Sequence, residues 1–183
     1  MLILTGKSAT GKDSIAEELI KLGYSRIITY TTRPMRDGEV DGETYHFISV
    51  SEFLKKYIDG EFLEVNYYTT KLGVWFYGSS LADYQKSDNN TICVLTPCGI
   101  KKLKQNNIKH TSFLINVSDN EILKRQIMRG DNQDEAERRF MADKLDFADI
   151  DDLVDCTIQN ENKNAFDAAK EIDAIYKSLK ESE

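Results

Sequence analysis

Short continuous runs of apolar residues alternate along this chain with longer stretches in which apolar residues recur at helical spacing. The runs 91–96 and 112–117 are largely apolar, which is typical of strands buried on both faces of a parallel sheet. Residues 13–22 instead place Ile15, Ala16 and Leu19 on one side of a helix. The same reasoning predicts strands at 2–5, 26–30, 44–48, 62–68, 75–77, 91–96, 112–117 and 157–159, and helices at 13–22, after 96, from 119 toward 129, at 134–147 and at 163–179.

The order of these elements indicates the fold class. Strands that alternate with helices predict an α/β three-layer sandwich around a mostly parallel sheet. Ser118 and Glu121 have capping-box spacing, which predicts that a helix starts at Asp119. The β-rich stretch 33–77 interrupts the alternation, and its strands 62–68 and 75–77 are expected to pair as a hairpin. We therefore expect this stretch to form an inserted subdomain.

Composition narrows the classes of function. The 183 residues carry a net charge of −7, which argues against a protein that coats nucleic acid, because phosphate neutralisation needs a basic surface. No apolar run reaches the roughly 18 residues of a membrane span. The three cysteines lack metal-ligand spacing and are expected to be reduced thiols in the cytoplasm. All the arginines fall in two clusters, at 26–36 and 125–139, which suggests an anionic ligand held from two sides.

The loop between the first strand and the first helix reads G-K-S-A-T-G-K. This is the G-x-x-x-x-G-K part of a P-loop, in which backbone N–H groups and a helix N-terminus bind phosphate. Lys12 is expected to bridge the β- and γ-phosphates of ATP. Asp13 stands where Ser or Thr usually reaches Mg²⁺, so we expect the metal to arrive with ATP and to meet Asp13 or Ser14 through water. The residues predicted to bind ATP here are Gly6, Ser8, Ala9, Thr10, Gly11, Lys12, Asp13 and Ser14.

A second motif occupies residues 29–47, T-Y-T-T-R-P-M-R-D-G-E-V-D-G-E-T-Y-H-F. Together with the P-loop it resembles the guanylate kinase signature T-T-R-x-x-R-x-G-E-x-x-G-x-x-Y-x-F. The likeness continues in G-E-F-L-E at 60–64, Y-G-S at 77–79, the later arginines and Asn160. It implies a single guanylate kinase-like domain over 1–183, with a core at about 1–32, 80–122 and 148–183, an inserted nucleoside-monophosphate-binding subdomain at about 33–79 and an arginine-rich helical lid at about 123–147.

The resemblance implies that the chain uses ATP and Mg²⁺ to phosphorylate GMP or dGMP to GDP or dGDP. Arg33 and Arg36 carry planar guanidinium groups that suit a monophosphate, and the Glu64 carboxylate can accept from the N1–H and 2-amino groups of guanine. Rejection of other bases by such a site can reach roughly 10⁴-fold. By resemblance, the GMP-binding residues are Thr29, Arg33, Arg36, Tyr45, Glu64, Tyr77, Ser79 and Thr96.

The second arginine cluster has the spacing of a phosphate-binding lid. Arg125 and Arg129 are four residues apart and share one face of a helix, and Arg138 and Arg139 follow on the return helix. Phosphoryl transfer needs such cations to stabilise charge on the equatorial oxygens. The resemblance implies catalytic roles for Lys12, Arg36, Arg125, Arg129 and Arg139, and places Arg129 and Asn160 near the adenine of ATP, whereas Arg138 has no counterpart.

Two departures from the family pattern leave alternatives open. The hairpin after Glu64 is roughly four residues longer than expected, and Val94 and Thr96 replace the usual aspartates. One alternative is a kinase with a different (deoxy)nucleoside monophosphate as acceptor. Another is a catalytically silent interaction module, although Lys12 and the arginines argue against it. A monomer and a homodimer both stay possible.

Overall fold

The computed structural model describes residues 1–70, 73–129 and 133–182. Nine strands and seven helices lie within this part of the chain. They are β1 (Leu2–Thr5), α1 (Lys12–Lys21), β2 (Ser25–Arg26), β3 (Tyr30–Thr31), β4 (His46–Phe47), α2 (Val50–Ile58), β5 (Phe62–Thr70), β6 (Gly73–Ser80), α3 (Leu81–Gln85), β7 (Thr91–Val94), α4 (Pro97–Gln105), β8 (Thr111–Asn116), α5 (Asp119–Arg129), α6 (Gln133–Asp146), β9 (Cys156–Gln159) and α7 (Ala165–Glu181).

The larger sheet has five parallel strands in the order β2-β7-β1-β8-β9, with helices on both faces. Side chains alternate along each strand. Leu2 and Leu4 of β1 therefore pack with α1 and α7 on one face, whereas Ile3 packs with Ile100 and Leu103 of α4 on the other. The predicted α/β sandwich with a mostly parallel sheet is confirmed.

The smaller sheet has four strands in the order β4-β3-β6-β5, of which β5 and β6 form the long predicted hairpin. Helix α2 covers one face of this sheet: the Phe53 ring lies 4.7 Å from Phe62 and 5.5 Å from Phe76, measured between centroids. The opposite face carries Glu64 and Tyr77, two residues of the predicted nucleotide site.

Two sequence predictions needed correction, and two helices were missed. The segment 26–30 is not one strand: β2 ends at Arg26 in the larger sheet and β3 begins at Tyr30 in the smaller one. The strand predicted at 44–48 shortens to His46–Phe47. Helices α2 and α3 were not predicted, although Ser49 caps α2 by accepting from the Glu52 amide at 3.2 Å.

The structure tests two other predictions only in part. The hairpin is confirmed, but its turn at 71–72 lies outside the described residues, as does the loop at 130–132 of the predicted lid. No helix in the part of the chain that the structure describes is long and apolar enough to cross a bilayer.

Candidate active site

The predicted phosphate loop lies between β1 and α1, and its backbone geometry depends on two glycines. A Cβ atom on Gly6 would stand 2.6 Å from the carbonyl oxygen of Ile115, so no larger residue fits there. Gly11, directly before α1, has φ of 93°, and Ala9 adopts φ of 63°, a conformation uncommon for a residue with a side chain. The loop therefore holds a strained form, as binding loops often do.

The side chains of the loop turn back onto its own backbone. The Lys12 ammonium donates to the carbonyl oxygen of Lys7 at 3.0 Å, and the Thr10 hydroxyl donates to the same oxygen at 2.9 Å. Lys12 thus lies folded over the loop where phosphate is expected. Asp13 and Ser14 are exposed in the first turn of α1.

Asn160 and Arg125 brace the loop from behind. The Asn160 amide donates to the carbonyl oxygen of Thr10 at 2.9 Å, and the Arg125 guanidinium donates to that oxygen at 3.3 Å and to the Asn160 carbonyl at 2.8 Å. Arg125 also donates to Glu121 at 2.9 Å, so most of its N–H groups are engaged. The roles predicted for these two residues at ATP stay predictions. Asn160 Oδ1 is buried with no hydrogen-bond partner among the described residues.

The open face of the smaller sheet gathers side chains from several strands. Glu64, Asn66 and Tyr68 alternate along β5, and their cross-strand partners on β6 are Ser79, Tyr77 and Trp75. Directly opposed residues point to the same side of a sheet, so all six share one face. On this face the predicted base-binding residues Glu64 and Ser79 stand next to the predicted phosphate-binding residue Tyr77.

Glu64 is 6% exposed and is held by a hydrogen-bond network. Its Oε1 accepts from the Thr96 hydroxyl at 2.6 Å and from the Asn66 amide at 2.8 Å. Thr96 in turn caps α4 by accepting from the Gly99 amide at 3.2 Å, and a Cβ atom on Gly99 would stand 2.3 Å from Glu64 Oε2. The carboxylate is therefore fixed at the N-terminus of α4, where the helix dipole favours negative charge.

The predicted monophosphate-binding residues form a second cluster beside it. Arg33 is buried and forms a two-pronged ion pair with Glu39, while its guanidinium lies 5.2 Å from the centroid of the Tyr45 ring. The hydrogen bond from Arg33 holds the pKa of Glu39 at about 2. Tyr45 also packs edge-on to Tyr77 at 5.9 Å. The structure thus brings Arg33, Tyr45 and Tyr77 together.

Two further predicted residues lie nearby. Arg36 is exposed, and its amide donates to Glu39 at 2.7 Å. Thr29 is half-buried, and its carbonyl oxygen accepts from the His46 amide at 2.8 Å between β3 and β4. Arg36 therefore contacts Glu39, the partner of Arg33, through its backbone, whereas Thr29 contacts His46, the sequence neighbour of Tyr45.

Helix α6 contacts the phosphate loop. Asp143 Oδ2 accepts from the Ser8 amide of the loop at 2.6 Å, so a carboxylate occupies one donor of the predicted anion cradle. Arg139 stands one turn earlier on the same face of α6. Burial raises the pKa of Tyr68 in the smaller sheet, and the positive charge of Arg139 opposes that rise. The side chain of Arg129 lies outside the described residues.

Sequence reasoning missed Asn66, Tyr68 and Asp143. The alternation Glu64-Asn66-Tyr68 was a usable signal for the first two, because residues two apart on a strand share a face. Asp143 carried a weaker signal, since it stands four residues after Arg139 and therefore shares its helix face.

A family model described as guanylate kinase matches residues 1–181. The chain belongs to the guanylate kinase family. Among curated relatives, a guanylate kinase of Sulfurimonas denitrificans is 49% identical over 80 residues, which cover 39% of this chain and 38% of that protein. One of Trichormus variabilis is 29% identical over 175 residues, which cover 90% of this chain and 84% of that protein.

The chain matches several of these curated guanylate kinases over less than two thirds of their own length. The match to the Symbiobacterium thermophilum protein, for example, covers 38% of that protein. The fold also matches the crystal structure of guanylate kinase from Anaplasma phagocytophilum, with a TM-score of 0.68 at 20% identity over 98% of this chain and 85% of that one. That likeness supports the fold alone.

Proposed function

We propose that this guanylate kinase family member transfers the γ-phosphoryl group of ATP to GMP or dGMP and so forms GDP or dGDP. The observation that carries the proposal is the shared face of the smaller sheet, where Glu64 is paired with Ser79, Tyr77 lies on the same side, and Thr96 holds the Glu64 carboxylate. Asp143 of α6 also contacts the phosphate loop.

The donor half would bind ATP mainly through backbone groups. The amides of 6–12 and the N-terminus of α1 supply fixed partial positive charge. The Lys12 ammonium, now on the Lys7 carbonyl, would exchange that oxygen for those of the β- and γ-phosphates. Asn160 and Arg125 would hold the Thr10 carbonyl and thereby keep the loop in shape.

The acceptor half would bind the monophosphate through side chains. Glu64 would accept from the guanine edge, with Thr29 and Ser79 beside the base. Arg33, Arg36, Tyr45 and Tyr77 would donate to the phosphate. Because Arg33 is already paired with Glu39, we expect it to contribute its remaining N–H groups and positive charge from a fixed position.

The lid arginines would stabilise the transferring group. Arg139 shares a face of α6 with Asp143, and we propose that it donates to the phosphoryl oxygens when α6 closes, together with Arg36 and Arg129. Arg125 would join them by exchanging one of its present carbonyl partners for a phosphoryl oxygen. One cation of this kind raises the rate of phosphoryl transfer roughly 10³- to 10⁵-fold. Closure would also exclude water and so favour transfer over hydrolysis.

Mg²⁺ would arrive bound to the ATP phosphates and neutralise their charge. The chain offers oxygen donors at the right place, because Asp13 and Ser14 are exposed at the start of α1 and oxygen is the ligand that Mg²⁺ prefers.

The remaining proposals concern organisation and location. We propose that 33–79 acts as the monophosphate-binding subdomain and 123–147 as the lid, attached to the core formed by the rest of the chain. We also propose a cytoplasmic location, which the free thiols of Cys93, Cys98 and Cys156 support. The net charge of −7 supports small nucleotides as ligands in preference to nucleic acid.

The experiment is an ADP-release assay with ATP, Mg²⁺ and each common nucleoside monophosphate. We expect turnover with GMP and dGMP, and we expect Glu64→Gln to lower kcat/KM for GMP about 10²-fold without changing the KM for ATP, because a hydrogen-bond pair to a charged group becomes neutral. Glu61→Gln, an exposed acid on the same segment, is the matched control. Activity with every base except guanine would disprove the proposal.

A further inference from the structure

The carboxylate of Glu64 presents its two oxygens unequally. An ionised carboxylate oxygen has two lone pairs. Glu64 Oε1 uses both, because it accepts from Thr96 at 2.6 Å and from Asn66 at 2.8 Å. Among the described residues, Glu64 Oε2 has no such donor. Glu64 therefore has one carboxylate oxygen that accepts no hydrogen bond from the described residues, and that oxygen lies against Gly99 at the start of α4.

Guanine needs two acceptors along this edge, one for its N1–H and one for its 2-amino group. With Oε1 filled, the N1–H can be accepted by Oε2, but the 2-amino group must displace a donor from Oε1. Hypoxanthine has the same N1–H and lacks the 2-amino group. A glutamate held in this way thus loses part of its preference for guanine over hypoxanthine.

The two donors on Oε1 differ in how easily they leave. The Thr96 hydroxyl is fixed because it also caps α4 through the Gly99 amide at 3.2 Å. Asn66 lies on β5 with a half-buried side chain, and its amide makes no other hydrogen bond among the described residues. Asn66 is the donor that a ligand can displace.

We propose that Asn66 is a specificity-positioning residue, which occupies Glu64 Oε1 and so sets how strongly the site prefers a 2-aminopurine nucleotide over one without the 2-amino group. This inference rests on the proposed function, since it assumes that Glu64 faces the base.

The test compares GMP and IMP as acceptors for the wild type, Asn66→Ala and Asn66→Gln. Asn66→Ala leaves one lone pair of Oε1 free for the 2-amino group. We expect the ratio of kcat/KM for GMP to that for IMP to rise about tenfold, mainly through a lower KM for GMP, with the KM for ATP unchanged. Asn66→Gln keeps an amide donor and should return the ratio toward the wild-type value.

Asn106→Ala is the matched control, because this exposed asparagine donates only to the Lys102 carbonyl of its own helix. Thermal unfolding monitors the fold, and calorimetric titration with GMP and with IMP gives the same ratio from binding alone. A ratio that stays within twofold of wild type, or falls, in Asn66→Ala overturns the inference while GMP turnover still supports the function. Failure of both nucleotides to bind or react would overturn the proposed function itself.

Discussion

The phosphate loop and the open face of the smaller sheet are built by opposite means. The loop presents backbone amides from one continuous segment, and its shape depends on Gly6 and on the positive φ angles of Ala9 and Gly11. The acceptor face presents side chains from separate strands, brought together by the register of β5 with β6. One half is local in sequence, and the other is assembled by tertiary structure.

This difference affects how each half responds to substitution. Most side-chain substitutions in the loop should have little effect, because they leave its backbone donors in place. The exceptions remove a charge or replace a glycine at a position where no side chain fits. A side-chain substitution on the acceptor face instead removes a specific hydrogen bond, as at Glu64. Substitutions in the loop should therefore slow phosphoryl transfer, whereas substitutions on the acceptor face should change the preference among bases.

Lys12→Met is expected to have the largest effect. It removes the ammonium that would bridge the transferring phosphates, and we expect kcat to fall about 10³-fold, the size seen when one electrostatic donor is lost from a transition state. GMP affinity should stay the same, because the acceptor face is unchanged. Steady-state kinetics and GMP titration measure the two quantities.

Lys21→Met is the control for Lys12→Met. Lys21 ends the same helix, is largely exposed and pairs with Glu18 at 2.7 Å on that helix, so its loss should leave kcat unchanged. If Lys12→Met weakened GMP binding as much as it slowed turnover, the two halves would not be separable.

Asp143→Asn should have a smaller effect, and it should strengthen ATP binding. Asp143 accepts from the Ser8 amide at 2.6 Å, where a phosphate oxygen of ATP is expected, so it competes with the ligand for that donor. The substitution keeps the shape and removes the charge, and a neutral acceptor binds about half as strongly. We expect the Kd for ATP to fall about threefold to tenfold in calorimetric titration.

Asp146→Asn on the same helix is exposed and provides the matched comparison. An Asp143→Asn variant that bound ATP more weakly would mean that this carboxylate helps α6 to close over the nucleotide. In that case α6 would act as part of the ATP site and the competition argument would be wrong.

The same contrast explains what the sequence could predict. The phosphate loop could be predicted because the motif G-x-x-x-x-G-K lies within seven neighbouring residues. The strands of the larger sheet could be predicted because their runs of apolar residues are continuous. Arg33, Tyr45, Glu64 and Tyr77 were assigned only by resemblance, and their proximity became visible once the strands were paired.

The rest depended on information that is not local. Helix α2 is an exception, because a local signal for it was present and was missed: Val50, Phe53, Leu54, Tyr57 and Ile58 recur at helical spacing. The split between β2 and β3 was missed because residues 26–30 are uniformly β-prone and nothing in them marks a change of sheet. The Thr96 bond to Glu64 joins the start of α4 to β5, a contact between residues 32 apart in sequence.

The smallest expected effect concerns the ion pair that supports the acceptor face. Arg33 and Glu39 have side-chain exposures of 7% and 16%, and the hydrogen bond from Arg33 lowers the pKa of Glu39 from 4.5 to about 2. A carboxylate with a lowered folded-state pKa stabilises the fold above its unfolded-state pKa and loses this contribution as pH falls through the folded value. Glu39→Gln should therefore be less stable than wild type near neutral pH, with a difference that shrinks between pH 4.5 and pH 2.

Urea unfolding of both proteins across this range measures that difference directly. Glu43→Gln, an exposed acid of the same loop, should show no such narrowing. The contrary outcome is a difference in unfolding free energy between wild type and Glu39→Gln that stays constant down to pH 2 or widens on acidification. Either result would mean that the charge of Glu39 does not hold Arg33. The monophosphate cluster would then depend on the packing of Arg33 against Tyr45 and Phe47, whose ring centroids lie 5.2 Å and 5.4 Å from its guanidinium.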